Sequence, residues 1–317
     1  MGIGILIKCF GGSSSSSSSS SSTKQPSTTV EYLCRRFSLA ELRKLTGDFD
    51  RSRIIGEGPY GVAYRASISV NGQIEDVAVK RLRQPEAYGI SLYKNDILFT
   101  CQLHHPNLLS LVGFCDDNNE MIVVHEYAPN GSLFDKLYES PRLSWKRRLE
   151  ISIGVARGLH YLHSGTKRTI IHGDIAPITI MLDENWVPKL SFFGVSKKAP
   201  KSKAKDVKRK ELESVEGSVG SRKCLRVTNE VMHKSDVDSF GELLVDLICQ
   251  NTSFNNTIDE RLVAEMTEEC WKLYMEIAES CLSKDPNERP DMGDVEVQLE
   301  RLLQLQEEAD TNHVLLI

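Results

Sequence analysis

The feature that most constrains this chain is a glycine-rich turn, GEGPYG, between two segments of strand-like composition. Gly56, Gly58 and Gly61 form a G-x-G-x-x-G pattern, which by itself also occurs in dinucleotide-binding folds, where a helix follows it. Here the next residues, VAYRASISV, are rich in β-branched and aromatic side chains that favour a strand. The sequence therefore predicts a strand, a glycine turn and a second strand, the arrangement that covers nucleotide phosphates.

The second feature is a lysine at the end of the next strand-like segment. Lys80 closes the sequence VAVK, nineteen residues after Gly61. The glycine turn and this lysine together resemble protein kinases, in which a lysine at this position contacts phosphates and pairs with a carboxylate on a helix. A solvent-exposed lysine at a strand end is the alternative interpretation, and the glycine turn favours the functional one.

The chain changes from strand-forming to helix-forming character near residues 126–132. Before this point lie short apolar runs such as EDVAVKRL and EMIVVHEYA. After it, the segment 143–165 carries apolar residues at helical spacing, namely Leu149, Ile153, Val155, Leu159 and Leu162. Three later segments, SDVDSFGELLVDLICQ, MTEECWKLYMEIAESCLS and MGDVEVQLERLLQLQEEA, also have helical patterns. We therefore expect two lobes with a cleft between them.

The amino-acid composition limits the classes of protein to which this chain can belong. The chain of 317 residues is 40% hydrophobic and 26% charged with a net charge of −5, which indicates a globular chain with no bias towards nucleic acid. Its eight cysteines form no C-x-x-C pair, so we expect free thiols in a reducing, intracellular compartment.

The N-terminus has a different character. Residues 11–29 form a Ser-rich, low-complexity run that cannot bury a core, and we interpret residues 1–34 as a disordered tether. The apolar start, MGIGILIKCF, is shorter than the ~20 residues that cross a bilayer. Cys9 is a candidate for palmitoylation, and a plain tail is the alternative. Folded structure is predicted to begin near residue 35, with Ser38 capping a helix.

Motifs along residues 36–306 resemble, in order and spacing, those of plant receptor-like protein kinases. The matching segments are LHHPNLLSLVGFC, EYAPNGSL, IIHGD, MLDENWVPKLSFFG, KSDVDSFGELL and NERPDMGDV. The most similar group is the kinase domain of the FERONIA-like, malectin-domain receptor kinases. The resemblance implies an α+β, bilobal protein-kinase fold with a small β-rich N-lobe (35–125), a larger helical C-lobe (126–306) and a tail (307–317). The family's extracellular and membrane-spanning parts are absent, so we expect a cytoplasmic relative.

The resemblance also implies an ATP-binding cleft. Lys80 matches the phosphate-binding lysine, and its helix partner, usually Glu, aligns with Asp96, whose shorter side chain implies a stretched or water-mediated salt bridge. His125 matches the gatekeeper beside the adenine pocket. The implied ATP-binding residues are Ile55, Gly56, Gly58, Gly61, Ala63, Ala78, Lys80, Glu126, Ala128 and Met181, and the implied catalytic residues are Lys80, Asp96 and Asp174.

The sequence departs from the family at the motifs that carry out catalysis and bind the metal. The family's catalytic loop reads H-R-D-x-K-x-x-N, and this chain has HGDIAPIT, which retains His172 and the catalytic base Asp174. The family's Arg, Lys and metal-binding Asn are replaced by Gly173, Ala176 and Thr179, and the magnesium-binding Asp is replaced by Phe192.

Further along, the A-P-E or D-P-E triplet that the family carries is missing from GSVGSRKCLRVTNEV. Asp236 and Arg289, which are structural in the family, are retained. Because the glutamate of the triplet normally pairs with Arg289, we predict that Arg289 finds another acidic partner or becomes exposed. The stretch between Cys249 and Met266 is shorter than in the family, so a helix that helps to dock substrates is expected to be reduced or missing.

These losses are chemically coupled. Mg²⁺ prefers carboxylate and carbonyl oxygens, Phe192 offers none, and Thr179 offers only a neutral hydroxyl. We therefore expect no metal site, ATP binding that is weak and independent of Mg²⁺, and a catalytically impaired pseudokinase that acts as a signalling interaction module. The alternatives are an active or weakly active serine/threonine kinase with a non-standard metal site, and a decayed relative with no selected role.

Partners follow from the same reasoning. We expect protein partners, such as a receptor-like kinase, and no nucleic acid. The basic segment 196–210 holds eight Lys or Arg residues and one Asp, which suits an anionic partner, an acidic lipid or nuclear import; a solvated loop is the alternative. Contact with a membrane through this segment or Cys9 would place the protein in the cytoplasm, at the inner face of the plasma membrane.

Overall fold

The computed structural model describes residues 33–58, 60–83, 87–138, 143–199, 232–252 and 255–315. The Ser-rich run and Cys9 lie outside the described residues, as do the basic segment beyond Ala199 and the sequence GSVGSRKCLRVTNEV. In the described part, no helix has the length and apolar character that a membrane span requires.

The first lobe is built on a six-stranded sheet with the strand order β1-β5-β6-β4-β3-β2. The strands are β1 (Arg35–Arg36), β2 (Ile54–Gly58), β3 (Gly61–Val70), β4 (Gln73–Leu82), β5 (Leu111–Cys115) and β6 (Ile122–Glu126). Along β3, buried Tyr64, Ala66 and Ile68 alternate with exposed polar residues, which is the period of a strand with one face in the core. The predicted sequence of strand, glycine turn and strand is confirmed.

One helix packs on each face of this sheet. Helix α1 (Leu39–Thr46) begins as predicted at Ser38, whose hydroxyl accepts a hydrogen bond from Glu41 N at 3.2 Å. Its buried Leu42 joins the cluster that contains Tyr64 and Val79. Helix α2 (Ala87–Thr100) instead belongs with a second cluster, which contains its Tyr93 and Ile97. The two faces of the sheet are therefore covered by different parts of the chain.

The short strand β1 depends on a glycine in its neighbour. At Gly113 in β5, an added Cβ would lie 2.2 Å from Arg35 O and 2.6 Å from the Phe37 ring. We expect Gly113→Ala to push β1 and Phe37 away and to lower the free energy of unfolding by about 1–3 kcal/mol, measured by chemical denaturation. Gly56→Ala is the matched control, since its Cβ would meet no atom within 4 Å. Equal stability of the two variants would contradict the prediction.

The second lobe is helical and holds the largest core cluster. Its helices are α3 (Leu133–Tyr138), α4 (Trp145–His160), α5 (Lys234–Ile248), α6 (Glu260–Glu265), α7 (Glu268–Cys281) and α8 (Met292–Leu315). The five apolar residues that predicted the helix after residue 143 are all buried, and α4 continues into a π-helical turn over Tyr161–Gly165. The predicted helices of this lobe are confirmed, apart from the end of α5.

Three short antiparallel pairs lie among the described residues of the second lobe. They are β7 (Ile170–Ile171) with β10 (Lys197–Lys198), β8 (Ile180–Leu182) with β9 (Pro188–Leu190), and β11 (Cys249–Thr252) with β12 (Asn255–Ile258). The helical pattern ran to Gln250, but α5 ends at Ile248, because Cys249 and Gln250 pair with the opposite strand of a hairpin. In the described residues, the region before Met266 holds only this hairpin and the six-residue α6.

Arg289 is buried and forms a salt bridge with Asp238. Its Nη2 lies 3.0 Å from Asp238 Oδ1. Nη1 and Nε donate to the carbonyl oxygens of Lys234 and Ser283 at 2.8 and 2.9 Å. The guanidinium is thus compensated by a carboxylate and two carbonyls, which a buried cation requires. The prediction of another acidic partner is confirmed.

Candidate functional site

The glycine turn closes the β2–β3 hairpin and contacts the segment that contains Phe192. Gly58 pairs with Gly61 and Gly56 with Ala63 across the β2–β3 hairpin. Gly61 has φ of +150° and faces the backbone of β4, where an added Cβ would lie 2.3 Å from Arg81 O. Only glycine allows this approach, so the hairpin can lie directly against the strand that carries Lys80.

The register of the sheet places several predicted residues on one face. Ala63 is paired with Lys80, and Ala78 is paired with His125. Because side chains alternate along β4, Ala78 and Lys80 share a face, while Val77 and Val79 enter the core on the other. This face therefore carries two alanines, Lys80 and His125, and also Arg65, which is paired with Ala78, and Val123, which is paired with Lys80.

Lys80 is half-buried and lies against an aromatic ring. Its Nζ is 5.3 Å from the centroid of the Phe192 ring, which is within the range of a cation–π contact. No carboxylate oxygen of the described residues lies within 4.0 Å of this nitrogen. Burial lowers the pKa of Lys80, and the negative charge of Asp96 opposes this shift only in part.

Asp96 makes its contacts elsewhere, although it belongs to α2 as the resemblance implied. Its Oδ1 accepts a hydrogen bond from Phe193 N at 2.8 Å, and its Oδ2 is 3.9 Å from His125 Nε2. Burial lowers the pKa of His125, so this imidazole is neutral at neutral pH. No direct salt bridge with Lys80 is formed, and Asp96 Oδ1 instead holds the backbone of the segment that contains Phe192. The stretched or water-mediated pair with Lys80 stays a prediction.

Phe192 lies between the glycine turn and the lysine. Its φ is +67°, which is rare for a bulky side chain and more common for Asp or Asn. The centroid of its ring lies 5.3 Å from that of Tyr60, which belongs to the glycine turn, with 34° between the ring planes. The ring thus joins the turn to Lys80 at the position where the family binds a metal through a carboxylate.

The loop that aligns with the family's catalytic loop is held in place by a buried histidine. His172 is fully buried, and its Nδ1 accepts a hydrogen bond from Asp174 N at 3.3 Å, so Nε2 donates to Ser191 O at 3.0 Å. Burial lowers the pKa of His172, which keeps the ring neutral. The loop that holds Asp174 is therefore fastened to the segment that precedes Phe192.

Asp236 on α5 anchors the same loop. Its carboxylate accepts hydrogen bonds from the backbone N–H groups of His172 and Gly173, both at 2.8 Å, and from His163 Nε2 at 2.9 Å. Burial alone would raise the pKa of Asp236, but these donors hold it below its usual value. Gly173 has φ of +83°, so glycine in place of the family's arginine suits this backbone well.

The residues at the two metal positions do not fit Mg²⁺. Phe192 has no donor atom. The Thr179 hydroxyl donates to Asp174 O at 2.7 Å and accepts from Ala176 N at 3.2 Å, and Thr179 is buried. Within the described ranges, no group of three His, Cys, Asp or Glu side chains is arranged to hold a metal ion. At these two described positions, neither side chain thus offers the carboxylate or carbonyl oxygen that Mg²⁺ prefers.

Three of the implied ATP-binding residues, Glu126, Ala128 and Met181, lie at the end of β6 or beyond it. Glu126 accepts a hydrogen bond from Ser110 N at 2.7 Å, and its other carboxylate oxygen lies 3.3 Å from Lys189 Nζ. Ala128 is buried, and Met181 lies half-buried on β8. Ile55, at the outer end of the glycine hairpin, is 41% exposed. Met181 is bridged to Ser132, so Glu126, Ala128 and Met181 lie near the junction of the lobes.

Sequence analysis missed the contact of Tyr60 with Phe192. Both side chains stand in motifs that were recognised, but they are 132 positions apart, and no local pattern links them. It also missed His163, which donates to Asp236 from the π-helical turn. The signal for that residue was a histidine on the apolar face of a helix, which is more often a core residue than a functional one.

Comparison with known proteins agrees with this geometry. Residues 49–299 match the family model described as protein tyrosine and serine/threonine kinase. The chain belongs to the protein kinase family. Its relatives include the receptor-like protein kinase FERONIA of Arabidopsis thaliana, 39% identical over 90% of this chain and 34% of that protein, and ANXUR1, 40% identical over 89% and 36%.

The resemblance to receptor-like kinases of the FERONIA type is therefore confirmed, as is the bilobal fold. This kinase domain spans about a third of the length of these curated relatives. Kinases of this family generally bind ATP and Mg²⁺, which makes the unsuitable metal positions of this cleft the main departure from the family.

Proposed function

We propose that this kinase domain is a pseudokinase: catalytically impaired, and active in signalling through protein contacts. The observation that carries the proposal is the Phe192 ring, which contacts Lys80 and Tyr60 where a metal-binding carboxylate is needed. The hydrogen bond from Phe193 N to Asp96 supports it, because Asp96 is held there and forms no direct salt bridge with Lys80. The retained anchors of the catalytic loop support a stable fold.

The expected loss of rate is large. Phosphoryl transfer depends on positioning and on neutralising the charge of the phosphates, mainly with Mg²⁺. The loss of one preorganised electrostatic group commonly costs ~10²–10³ in rate. Since such losses do not add simply, we count two of them, or ~10⁴. A kinase that turns over at ~10 s⁻¹ would then fall to about 10⁻³ s⁻¹.

A kinase assay tests the proposal. The purified domain, incubated with labelled ATP, Mg²⁺ and a generic protein substrate, is expected to transfer phosphate ~10⁴-fold more slowly than an ordinary kinase. Lys80→Met is the control for contaminating activity. Transfer at ordinary rates that disappears in the Lys80→Met variant would show an active serine/threonine kinase instead, with Asp174 as its base.

The proposed interaction is with a protein partner, such as a receptor-like kinase, at the inner face of the plasma membrane. The basic segment 196–210 and Cys9 are the proposed membrane contacts. A pull-down from plant membranes should keep its partners when Lys80 and Asp174 are both substituted, because neither the fold nor the outer surface depends on catalysis. Loss of every partner in that double variant would contradict the interaction role.

A further inference from the structure

We propose that the Phe192 ring is a latch that holds the glycine hairpin, formed by β2 and β3, on the second lobe when no ligand is bound. The latch consists of two contacts of this ring. Its centroid lies 5.3 Å from that of the Tyr60 ring in the turn of the hairpin, and 5.3 Å from Nζ of Lys80 on β4. The inference goes beyond the proposed function, because it concerns the resting conformation of the chain and not its rate of phosphate transfer.

The first argument is that the position of Phe192 is fixed by the residues that follow it. Phe193 N donates a hydrogen bond to Asp96 Oδ1 at 2.8 Å, and Gly194 O accepts one from Asn95 Nδ2 at 2.9 Å. Both partners belong to α2, and the Phe193 side chain is fully buried. The backbone that carries the ring is therefore fastened to α2, while the ring itself contacts the turn of the hairpin.

The second argument is that the packing around the hairpin is loose. Its salt bridge between Glu57 and Arg83 joins side chains that are 55% and 58% exposed, and exposed ion pairs contribute little to stability. A Cβ atom added at Gly56 or Gly58 would meet no atom within 4 Å. Aromatic rings at the separation seen in the latch attract each other beyond the area that they bury. The latch thus joins the turn of a loosely packed hairpin to the second lobe.

The third argument is the contact of the ring with Lys80. Lys80 is paired with Ala63 across β3 and β4, so the ring contacts the first lobe both at the turn of the hairpin and at the strand beside it. A cation over an aromatic face is attracted more strongly when it is desolvated, and Lys80 is half-buried. Glycine-rich loops of kinases usually close when a substrate binds. Here both contacts lie within the chain and therefore need no ligand.

The test is hydrogen exchange, followed by mass spectrometry, on the purified chain without nucleotide. The amides of β2 and of residues 61–64 should be protected in the native chain, because opening of the hairpin has to break the latch. Tyr60→Ala and Phe192→Ala should each speed the exchange of these amides about 2–10-fold, which is the size of one aromatic contact. Tyr60→Phe keeps the ring and should exchange at the native rate.

Two controls separate the latch from a general loss of stability. Ile74→Ala removes an apolar side chain of the same sheet that is 74% exposed, and it should leave the exchange of the hairpin unchanged. The double variant of Tyr60→Ala and Phe192→Ala should exchange no faster than Phe192→Ala alone, because both substitutions break the same contact. A melting curve establishes that each variant is folded. Phe192→Asn, which suits the φ of +67° at this position, replaces Phe192→Ala if that variant fails to fold.

Three results would overturn the latch. They are exchange of the hairpin at the native rate in both alanine variants, effects of the two substitutions that multiply in the double variant, and a native hairpin that exchanges as fast as an unstructured peptide. None of these measurements involves phosphate transfer. Transfer at ordinary rates, together with hairpin protection that depends on both rings, would remove the pseudokinase proposal and leave the latch in place.

Discussion

Reinstating three lost side chains together, by Ala176→Lys, Thr179→Asn and Phe192→Asp, is expected to raise the rate of Mg²⁺-dependent phosphoryl transfer about 10²–10³-fold above that of the native chain. Phe192→Asp supplies a carboxylate for the metal, Thr179→Asn a second oxygen ligand, and Ala176→Lys a cation beside the transferred phosphate. Asp174 and Lys80 are retained at the positions that the resemblance assigns to the base and to the phosphate-binding lysine.

The backbone is suited to this repair. Position 192 has φ of +67°, which Asp adopts more readily than Phe. Thr179 holds the carbonyl of Asp174 through a short side chain, and the amide of Asn can donate the same hydrogen bond. The three substitutions therefore restore donor atoms without requiring a new loop conformation.

The measurement is a single-turnover phosphorylation assay with and without Mg²⁺. The matched control carries Phe192→Asn with the same two other substitutions, because Asn tolerates the backbone but brings no charge. It should gain much less. A folded triple variant that binds ATP with Mg²⁺ and is no faster than the native chain would mean that the impairment lies elsewhere, for example in the missing contact of Lys80 with Asp96.

Asp236→Ala is expected to lower the free energy of unfolding by about 3–5 kcal/mol, because it removes one partner from a buried charge network. The carboxylate accepts from two backbone N–H groups and from His163 Nε2. His163 Nδ1 already has no hydrogen-bond partner among the described residues, so this ring would lose its remaining contact of that kind.

Chemical denaturation at several pH values checks this prediction. The pKa of Asp236 is lowered in the folded chain, so its stabilisation is present above the unfolded value of about 3.9 and is lost as the pH falls below it. The difference between native chain and variant should therefore narrow in acid. Asp294→Ala, at an exposed carboxylate in the first turn of α8, is the control and should cost ~1 kcal/mol or less. Equal effects of the two substitutions would contradict the proposed anchor.

The two predictions concern separable properties. The anchors of the catalytic loop are retained, with Asp236 holding His172 and Gly173 from α5. The donors that the reaction needs have been replaced at positions 176, 179 and 192. A domain of this kind can keep a kinase shape, and the surfaces that other proteins recognise, after it has lost the chemistry.

Much of this protein could be read from local sequence. The alternation along β3, the apolar spacing along α4 and the cap at Ser38 each reflect interactions within a few residues, and the structure confirms them. The substitutions at Thr179 and Phe192 were equally visible, because motif positions identify them without coordinates. The end of α5 could not be predicted in this way, because Cys249 and Gln250 form a strand that pairs with residues beyond the helix.

Only the tertiary structure decided how the changed residues are used. In the folded chain, the Phe192 ring contacts Tyr60 and Lys80. The carboxylate of Asp96 accepts a hydrogen bond from Phe193 N, and Arg289 forms a salt bridge with Asp238. Each of these contacts joins segments far apart in the chain. The distances between these segments depend on how whole helices and strands pack. The partner of each side chain is therefore set by tertiary packing and not by its neighbours in sequence. The sequence by itself determined the fold and which donor atoms are missing; the packing of the two lobes determined what took their place.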